Sequence, residues 1–272
     1  MNPTSETSSN NGTTTPNDSN TSIDLSIIAP AHNEEDNIQP LIDEIGAVIE
    51  TLTPEYRCEA IIVNDGSTDS TESILLELAQ TRPWLRILRM ENTPPGKGNG
   101  QSAAFHAAFH QARGLLIAPL DADLQNPPDN IPAMLELMRR ENADMVQGDR
   151  SANRQDSFLR FVSTFTGRAF RRYFLGDTIR DTGCSLRIMK KEIALQLPLE
   201  FKGIHRYIPG TARRLGYKVV EIPVTHRARN AGTSKYGLIN RAIPGLFDVL
   251  AVRWMNKRRM PTSAEELTPE SK

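Results

Sequence analysis

The sequence has little cysteine and no long hydrophobic run. Its two cysteines, Cys58 and Cys184, are far apart, match no metal-ligand or redox spacing, and sit beside apolar residues. We therefore expect two reduced core thiols, the usual state of cysteine in the cytosol. The segment Leu238–Met255 is apolar, but it contains a proline and charged residues and is unlike a bilayer span. The two isolated cysteines and the lack of a long hydrophobic run favour a cytosolic chain without a membrane span.

The N-terminal end has no apolar residue between Met1 and Ile23 and is dominated by Ser, Thr and Asn. Such a composition cannot bury enough surface to offset the entropy of ordering, so we predict a disordered tail over residues 1–22. A signal peptide is not expected, because its apolar central region is missing. Residues 261–272 are predicted to form a second disordered tail.

The formal net charge of −1 results from two halves of opposite sign. Residues 1–149 carry 8 basic and 23 acidic residues, whereas residues 150–260 carry 23 basic and 7 acidic ones. An acidic half suits cations, and a basic half suits phosphates or an anionic membrane surface. No feature of the sequence indicates a nucleic-acid partner.

Between the tails, short apolar runs alternate with helical patterns. This alternation predicts an α/β fold with a mostly parallel, Rossmann-like sheet and helices on both faces. The predicted strands are Leu25–Ala29, Ala60–Val63, Leu85–Met90, Leu115–Leu120 and Asp144–Gln147. The predicted helices begin after Asn33, which we expect to act as an N-cap, and cover about Asp69–Ala79, Gln101–Arg113 and Ile131–Glu141.

Polar clusters follow three of these strands. They are His32–Glu34 after the first, Asn64–Ser67 after the second and Asp121–Asp123 after the fourth. In open α/β sheets, ligands bind beyond the carboxyl ends of the strands. The three clusters therefore predict one site at that edge of the sheet.

The chemistry of this site is indicated by the run DADLQNPP at Asp121–Pro128. Two carboxylates spaced D-x-D can hold Mg²⁺ or Mn²⁺ and leave positions open for diphosphate oxygens. Gln125 adds a neutral oxygen ligand. Taken alone, a D-x-D pair is more often a solvated turn.

Six segments together carry a family resemblance. The chain resembles family 2 glycosyltransferases of the GT-A fold from the first strand to about Tyr236, which implies a GT-A domain over residues 23–237. Within that family it is similar to the polyprenyl-phosphate glycosyltransferases, such as dolichol-phosphate mannose synthase and undecaprenyl-phosphate formamido-arabinose transferase. Asn64 is a departure, since many members have an acidic residue there. The matching segments are Ala29–Glu35 (APAHNEE), Val63–Thr71 (VNDGSTDST), Asp121–Pro128, Asn153–Ser157 (NRQDS), Asp181–Arg187 (DTGCSLR) and Gly232–Tyr236 (GTSKY).

The resemblance implies roles for individual residues. Asp123 and Gln125 would bind the metal, and Asp123, Arg150 and Arg160 would be catalytic. Asp181 either orients the acceptor or only stabilises the turn before Gly183. The implied nucleotide-sugar residues are Pro30, Glu34, Asp65, Lys97, Asp121, Asp123, Gln125, Arg227 and Lys235. The implied acceptor-phosphate residues are Arg150, Arg154, Arg160 and Ser163.

The implied reaction is transfer of a sugar, with inversion, from a GDP- or UDP-linked donor to a polyprenyl phosphate. The product would be a lipid-linked sugar for a cell-envelope glycan or lipid modification. Transfer to a sugar hydroxyl needs a general base, whereas a polyprenyl phosphate is already anionic and can attack without one. The metal ion and the arginines would then act electrostatically.

A lipid acceptor requires a surface that faces the membrane. Phe158–Leu175 and Leu238–Met255 have apolar residues near helical spacing with basic residues beside them. We predict a membrane-proximal amphipathic helix over residues 238–260 and peripheral association with the inner face of the membrane. Packing of either helix on the core remains the alternative, and a separate membrane-embedded partner protein is compatible with the sequence.

Three other classes of protein would share part of this sequence pattern. A processive polysaccharide synthase would have a Q-x-x-R-W motif, but Leu250 stands where its Gln should be, ahead of Arg253 and Trp254. A family 2 enzyme with a non-lipid acceptor shares the nucleotide half of the site. A non-catalytic sugar-nucleotide-binding membrane scaffold would not need the Asp123, Gln125 and arginine set.

Overall fold

A computed structural model describes residues 22–94, 96–151, 158–227 and 238–260. The side chains of residues 158–166 and 238–244 are not described. Apart from Ser22, the two predicted tails lie outside the described residues. The division of the chain into tails, a catalytic domain and a membrane-proximal helix therefore stays a prediction.

Seven strands form one sheet in the order β3-β2-β1-β4-β6-β5-β7. All neighbouring pairs are parallel except those of β6, which is antiparallel to both β4 and β5. The five strands predicted from apolar runs are confirmed, whereas β6 and β7 were not predicted. The strands are β1 (Leu25–Ala31), β2 (Cys58–Asn64), β3 (Leu85–Arg89), β4 (Leu116–Pro119), β5 (Met145–Asp149), β6 (Arg187–Lys190) and β7 (Val219–Pro223).

Helices follow most of the strands. The eight α-helices among the described residues are α1 (Glu35–Leu52), α2 (Thr71–Ala79), α3 (Gln101–Gln111), α4 (Ile131–Arg140), α5 (Phe158–Leu175), α6 (Lys191–Ala194), α7 (Ile208–Arg214) and α8 (Leu238–Arg258). Short 3-10 helices at Pro128–Asn130 and Ile204–Tyr207 precede α4 and α7. None of the helices described combines the length and the apolar character needed to cross a bilayer.

The sheet separates two hydrophobic cores. Alternate residues of β1 point to opposite faces, so Ile27 packs with α1, α2 and α4 while Ile28 packs with α3, α7 and α8. Complete burial of each such side chain contributes about 1.5–3 kcal/mol. This arrangement confirms the prediction of a mostly parallel sheet covered on both faces.

The predicted N-cap of α1 is wrong. Asn33 has a left-handed backbone with φ of 56°, and its Oδ1 accepts a hydrogen bond from the Thr68 backbone N–H at 2.8 Å. The N–H of Glu35 is instead directed to Asp69 Oδ2 at 3.3 Å. Asn33 therefore joins the loop after β1 to the loop after β2.

Both cysteines are free, as predicted. Cys184 is buried, and burial raises the pKa of its thiol to about 12. Cys58 is half-buried, and burial together with the charge of Asp24 raises its pKa to about 11. Both thiols are therefore protonated and weakly nucleophilic at neutral pH.

A network of charged residues lies at the end of the sheet opposite the predicted site. The buried carboxylate of Glu59 accepts hydrogen bonds from Ser26 Oγ, the Arg113 N–H and Arg86 Nη1, each at 2.7 Å. Burial alone would raise the pKa of Glu59. The hydrogen bonds from Ser26, Arg113 and Arg86 outweigh burial and hold that pKa below its ordinary value.

Replacement of Glu59 by glutamine is expected to lower the free energy of unfolding by about 2 kcal/mol at neutral pH, since it removes charge-assisted hydrogen bonds. Because the folded pKa lies below the unfolded value of about 4.3, the contribution is complete above that value and is lost as pH falls through the folded pKa. Denaturant unfolding from neutral to acid pH should therefore show a flatter acid limb for Glu59→Gln. Glu77→Gln, on the exposed face of α2, serves as the control. Equal acid sensitivity of Glu59→Gln and the wild type would contradict this assignment.

Candidate functional site

The loops after β1 and β2 are joined at the carboxyl edge of the sheet. His32 Nδ1 lies 2.7 Å from the Asp65 carbonyl oxygen, and the Asn33 N–H donates to Ser67 Oγ at 3.0 Å. β4 adjoins β1 on its other side and delivers Asp121 to the same edge. The three polar clusters that follow β1, β2 and β4 therefore lie together, as the sequence predicted.

Asp65 fixes the loop that precedes α3. Its two carboxylate oxygens accept the N–H groups of Asn99 and Gly100 at 2.8 and 2.7 Å. Gly98 has a φ of 61°, and a Cβ there would lie 2.8 Å from Asp65 Oδ2, so a side chain at this position would clash. The carboxylate thus brings the Gly96–Gly98 turn, with exposed Lys97 at its tip, to the edge of the site.

The loop Asp121–Gln125 places two carboxylates beside each other. Asp121 Oδ1 accepts a hydrogen bond from Gln101 Nε2 at 2.5 Å, and Asp123 Oδ1 accepts the Gln125 N–H at 3.2 Å. Burial and then the negative charge of Asp123 raise the pKa of Asp121. Two carboxylates that disfavour each other's charge in a half-buried loop favour the entry of a cation.

The backbone of this loop is held by an apolar anchor. Leu124 has a φ of 60°, which is uncommon for a residue with a Cβ, and its side chain is buried in the core. The two neighbours of Leu124, Asp123 and Gln125, are half-buried rather than buried. Strain of this kind costs of order 1–3 kcal/mol and is common at ligand-binding loops.

Arg150 and Asp181 form a buried pair next to this loop. Arg150 Nε and Nη2 donate to the two Asp181 oxygens at 2.8 and 3.1 Å, and the Arg150 N–H donates to Oδ2 at 3.2 Å. Asp181 Oδ1 also accepts the Gly183 N–H at 3.0 Å. Asp181 therefore stabilises the turn before Gly183, while the choice between this role alone and a role in orienting the acceptor stays open; the structure adds a pairing with Arg150 that the sequence did not reveal.

The segment after β7 lies across the D-x-D loop. The Arg227 N–H donates to the Gln125 carbonyl at 2.9 Å, while its guanidinium pairs with Glu44 Oε1 at 2.5 Å and lies 3.7 Å from Asp129. The backbone of Arg227 therefore reaches the site, but its side chain pairs with Glu44 of α1 and lies near Asp129. Its predicted contact with the nucleotide stays a prediction.

The remaining predicted residues divide into two groups. Pro30 is half-buried near the carboxyl end of β1. Glu34 lies in the loop between β1 and α1, and its Oε2 accepts a hydrogen bond from Asn37 Nδ2 at 2.7 Å. Both residues therefore lie at the edge of the sheet that carries the site. Arg154 and Lys235 fall outside the described residues, and Arg160 and Ser163 lie in α5, where side chains are not described.

Sequence reasoning missed Gln101 and Ser185. Gln101 is the first residue of α3, and Ser185 lies between the Asp181 turn and β6. Gln101 Nε2 donates to Asp121 Oδ1, and Ser185 Oγ accepts a hydrogen bond from Asn126 Nδ2 of the same loop at 3.4 Å. Gln101 belongs to none of the matching segments, and the resemblance gives no role to Ser185 within Asp181–Arg187, so it is the fold that brings both residues to this loop.

The sheet order, the D-x-D loop at its carboxyl edge and the basic residues beside that loop define the GT-A class of nucleotide-sugar-dependent transferases. The family model for glycosyl transferase family 2 matches residues 26–197. The chain belongs to this family, which confirms the resemblance read from its motifs.

Among named relatives, the chain is 34% identical to a dodecaprenyl-phosphate galacturonate synthase of Rhizobium johnstonii over 87% of its own length and 68% of the relative. It is 35% identical to an undecaprenyl-phosphate 4-deoxy-4-formamido-L-arabinose transferase of Photorhabdus laumondii over 83% of its length and 66% of that protein. The chain thus spans about two thirds of the length of these relatives.

Solved structures confirm the fold. Glucosyl-3-phosphoglycerate synthase of Mycobacterium tuberculosis, in complex with Mn²⁺, UDP and its product, superposes with a TM-score of 0.61 at 20% identity, covering 85% of this chain and 80% of that one. A mannosyltransferase of Pyrobaculum calidifontis, in complex with GDP-mannose and Mn²⁺, gives a TM-score of 0.52 at 18% identity, covering 75% and 56%.

Proposed function

We propose that this chain transfers a sugar, with inversion, from a nucleotide-diphosphate sugar to a polyprenyl phosphate. The observation that carries the proposal is the pairing of Asp121 with Asp123 at the carboxyl edge of the sheet, where the raised pKa of Asp121 marks a site suited to a cation. The names of the two relatives above support a polyprenyl-phosphate acceptor.

The donor set fits Mg²⁺ or Mn²⁺. Carboxylate oxygens of Asp121 and Asp123 and the amide oxygen of Gln125 are hard ligands of the kind these ions prefer. Asp123 and Gln125 would hold the ion, with Asp121 facing the nucleotide. When bound, the cation stabilises the negative charge that develops on the leaving diphosphate.

The arginines act on the acceptor. Asp181 engages Nε and Nη2 of Arg150, which orients the guanidinium, and Nη1 would donate to a phosphate oxygen. Arginine suits this task because its planar guanidinium can bond a carboxylate and a phosphate at the same time. Together with Arg160, Arg150 would hold two anionic groups close enough to react, and no general base is required.

A panel of GDP- and UDP-linked sugars tests this function. Binding would be measured first in the presence of Mn²⁺, and transfer would then be measured to a short-chain polyprenyl phosphate and to small phosphate and sugar acceptors. Transfer to the polyprenyl phosphate supports the proposal. Transfer only to a small acceptor indicates a family 2 enzyme of another acceptor class. Binding without any transfer indicates a non-catalytic scaffold.

The exposed side of α8 is the proposed membrane-facing surface. Phe247, Leu250 and Trp254 recur on one side of this helix with 65%, 44% and 63% of their surfaces exposed. Lys257, Arg258 and Arg259 follow at the end of the helix. Aromatic and aliphatic side chains beside basic ones are typical of helices that lie in the headgroup region of an anionic membrane. On this basis we infer a cytoplasmic protein bound peripherally to the inner face of the membrane.

Replacing both Phe247 and Trp254 by glutamine is expected to weaken binding of the full chain to phosphatidylglycerol vesicles by about tenfold or more, since two large apolar groups lose their burial in the lipid. Vesicle co-sedimentation would measure the change. Leu76→Gln, which alters an equally accessible side chain on α2, is the matched control and should bind as the wild type does. Unchanged binding of the double variant would refute α8 as the membrane surface.

A further inference from the structure

Arg187 is a buried cation whose guanidinium is hydrogen-bonded to three backbone carbonyl oxygens. Its side chain lies at the start of β6, and its Nε, Nη1 and Nη2 donate to the carbonyls of Ser185, His205 and Cys184 at 3.0, 3.1 and 2.5 Å. Within the described residues it forms no salt bridge to a carboxylate. Burial lowers its pKa to about 10, so it stays charged at neutral pH. A buried charge is costly, and here three backbone acceptors offset that cost.

The network continues from Arg187 to α3 through His205. Ser102 Oγ lies 2.8 Å from His205 Nδ1 and accepts the His205 backbone N–H at 3.3 Å. Since burial and then the charges of Arg206 and Arg187 lower the pKa of His205 to about 3, its ring is neutral at physiological pH. A hydrogen bond therefore joins the Ser102 hydroxyl to the neutral ring at Nδ1, and the ring tautomer determines which of the two groups donates.

Both ends of this network reach the loop that begins at Asp121. At one end, Ser102 follows Gln101, whose Nε2 donates to Asp121 Oδ1. At the other end, the Ser185 carbonyl accepts a hydrogen bond from Arg187 Nε, and Ser185 Oγ accepts one from Asn126 Nδ2 at 3.4 Å. The three residues Ser102, His205 and Arg187 thus connect the two residues that contact this loop from α3 and from the segment before β6.

We propose that Arg187 and His205 are positioning residues of the donor site. Through Ser102 they hold Gln101 against Asp121, and Arg187 directly holds Ser185 against Asn126 of the same loop. This inference rests on the proposed function, since it concerns binding of a metal-nucleotide at the Asp121–Asp123 pair. Arg187 and His205 do not touch the substrate in this account. Their effect is to keep Asp121 in place when a cation and a diphosphate arrive, so that little binding energy is lost in ordering the loop.

Ser102→Ala tests the network with a small change in volume. Calorimetric titration of the full chain with UDP and with GDP, each in Mn²⁺, should show a dissociation constant raised roughly 3- to 10-fold, the factor expected for losing one or two hydrogen bonds. Ser26→Ala is the matched control. Ser26 is also buried and also makes two side-chain hydrogen bonds, to Glu59 and from Gly114, but it lies at the far end of the same sheet. Its nucleotide affinity should equal that of the wild type.

The outcomes separate the two proposals. If the wild type binds neither nucleotide with Mn²⁺, the proposed function fails and this inference fails with it. If the wild type binds and Ser102→Ala binds equally well, or if Ser26→Ala weakens binding as much, the inference alone is overturned.

A second variant examines the arginine. Arg187→Lys keeps the charge but cannot bond three carbonyls, so it should weaken nucleotide binding more than Ser102→Ala does. Because both residues act through His205, the double variant should bind no more weakly than Arg187→Lys alone. Additive effects would contradict a single network. If Arg187→Lys fails to fold, the comparison of Ser102→Ala with Ser26→Ala decides the question.

Discussion

Asp123→Ala is expected to abolish sugar transfer, lowering kcat/KM by about 10³-fold or more. The carboxylate is one of two that share the loop after β4, and its charge contributes to the raised pKa of Asp121. Without it, a cation would lose a charged ligand and the departing diphosphate would lose its electrostatic partner. The fold should survive, since Asp123 is half-buried and lies in a loop.

Transfer and Mn²⁺-dependent nucleotide binding would both be measured for this variant. Asp123→Asn keeps an oxygen ligand without the charge and should retain part of the affinity. Asp43→Ala, an exposed carboxylate of α1, is the control and should be as active as the wild type. Undiminished wild-type transfer in excess chelator, or near-normal activity of Asp123→Ala, would show that the reaction needs no metal at this loop.

Five of the six strands with parallel neighbours were predictable because they are apolar runs bounded by turn residues; β7, which is parallel to β5, was not predicted. β1, β2 and β4 are buried from both faces, so their sequences are nearly continuous in Ile, Leu, Val and Ala. β6 reads RIMK and has only two apolar residues. Its pairing, antiparallel to β4 and β5, is set by tertiary contacts that no local pattern indicates.

The site was predictable where it follows from topology. Polar residues after neighbouring parallel strands must lie at one edge, which is how the clusters at Asn33, Asp65 and Asp121 could be placed together. The hydrogen-bond partners of individual side chains at that edge could not be predicted from the sequence. Asparagine is a common N-cap residue, but Asn33 has a positive φ, and its side chain accepts a hydrogen bond from Thr68 instead.

Contacts between distant segments were also beyond the sequence. Arg150 and Asp181 are 31 positions apart, and their pairing follows from the antiparallel alignment of β5 with β6. By resemblance the sequence placed Arg150 at the acceptor phosphate and gave Asp181 two alternative roles, at the acceptor or only in the turn before Gly183, without indicating that it pairs with Arg150. Ser102 and His205 are 103 positions apart and share no motif.

Arg150→Ala should therefore impair stability and catalysis together. Both members of the pair are buried, with Arg150 7% and Asp181 5% exposed. Removing the guanidinium leaves a buried carboxylate without its charged partner, which typically costs 3–5 kcal/mol, or a fall in Tm of about 6–15 °C for a chain of this size. Transfer by the protein that remains folded should also fall, by about 10²-fold or more, because the acceptor phosphate loses a charged hydrogen-bond donor, Nη1 of Arg150.

The two effects can be separated with a second buried pair. Arg171 Nη1 lies 3.1 Å from Asp177 Oδ2, with 12% and 3% of the side chains exposed. Arg171 belongs to α5, and Asp177 lies against Gly210 of α7, so this pair joins two helices and is not part of the D-x-D loop. Arg171→Ala should lower the Tm by a similar amount, while transfer measured well below that Tm stays at the wild-type level. Arg150→Lys should recover part of the stability but little of the activity, since an ammonium group cannot reproduce the fork. If Arg150→Ala and Arg171→Ala lose stability alike and both retain full transfer when folded, Arg150 is a structural partner of Asp181 and the acceptor phosphate must be held by other residues.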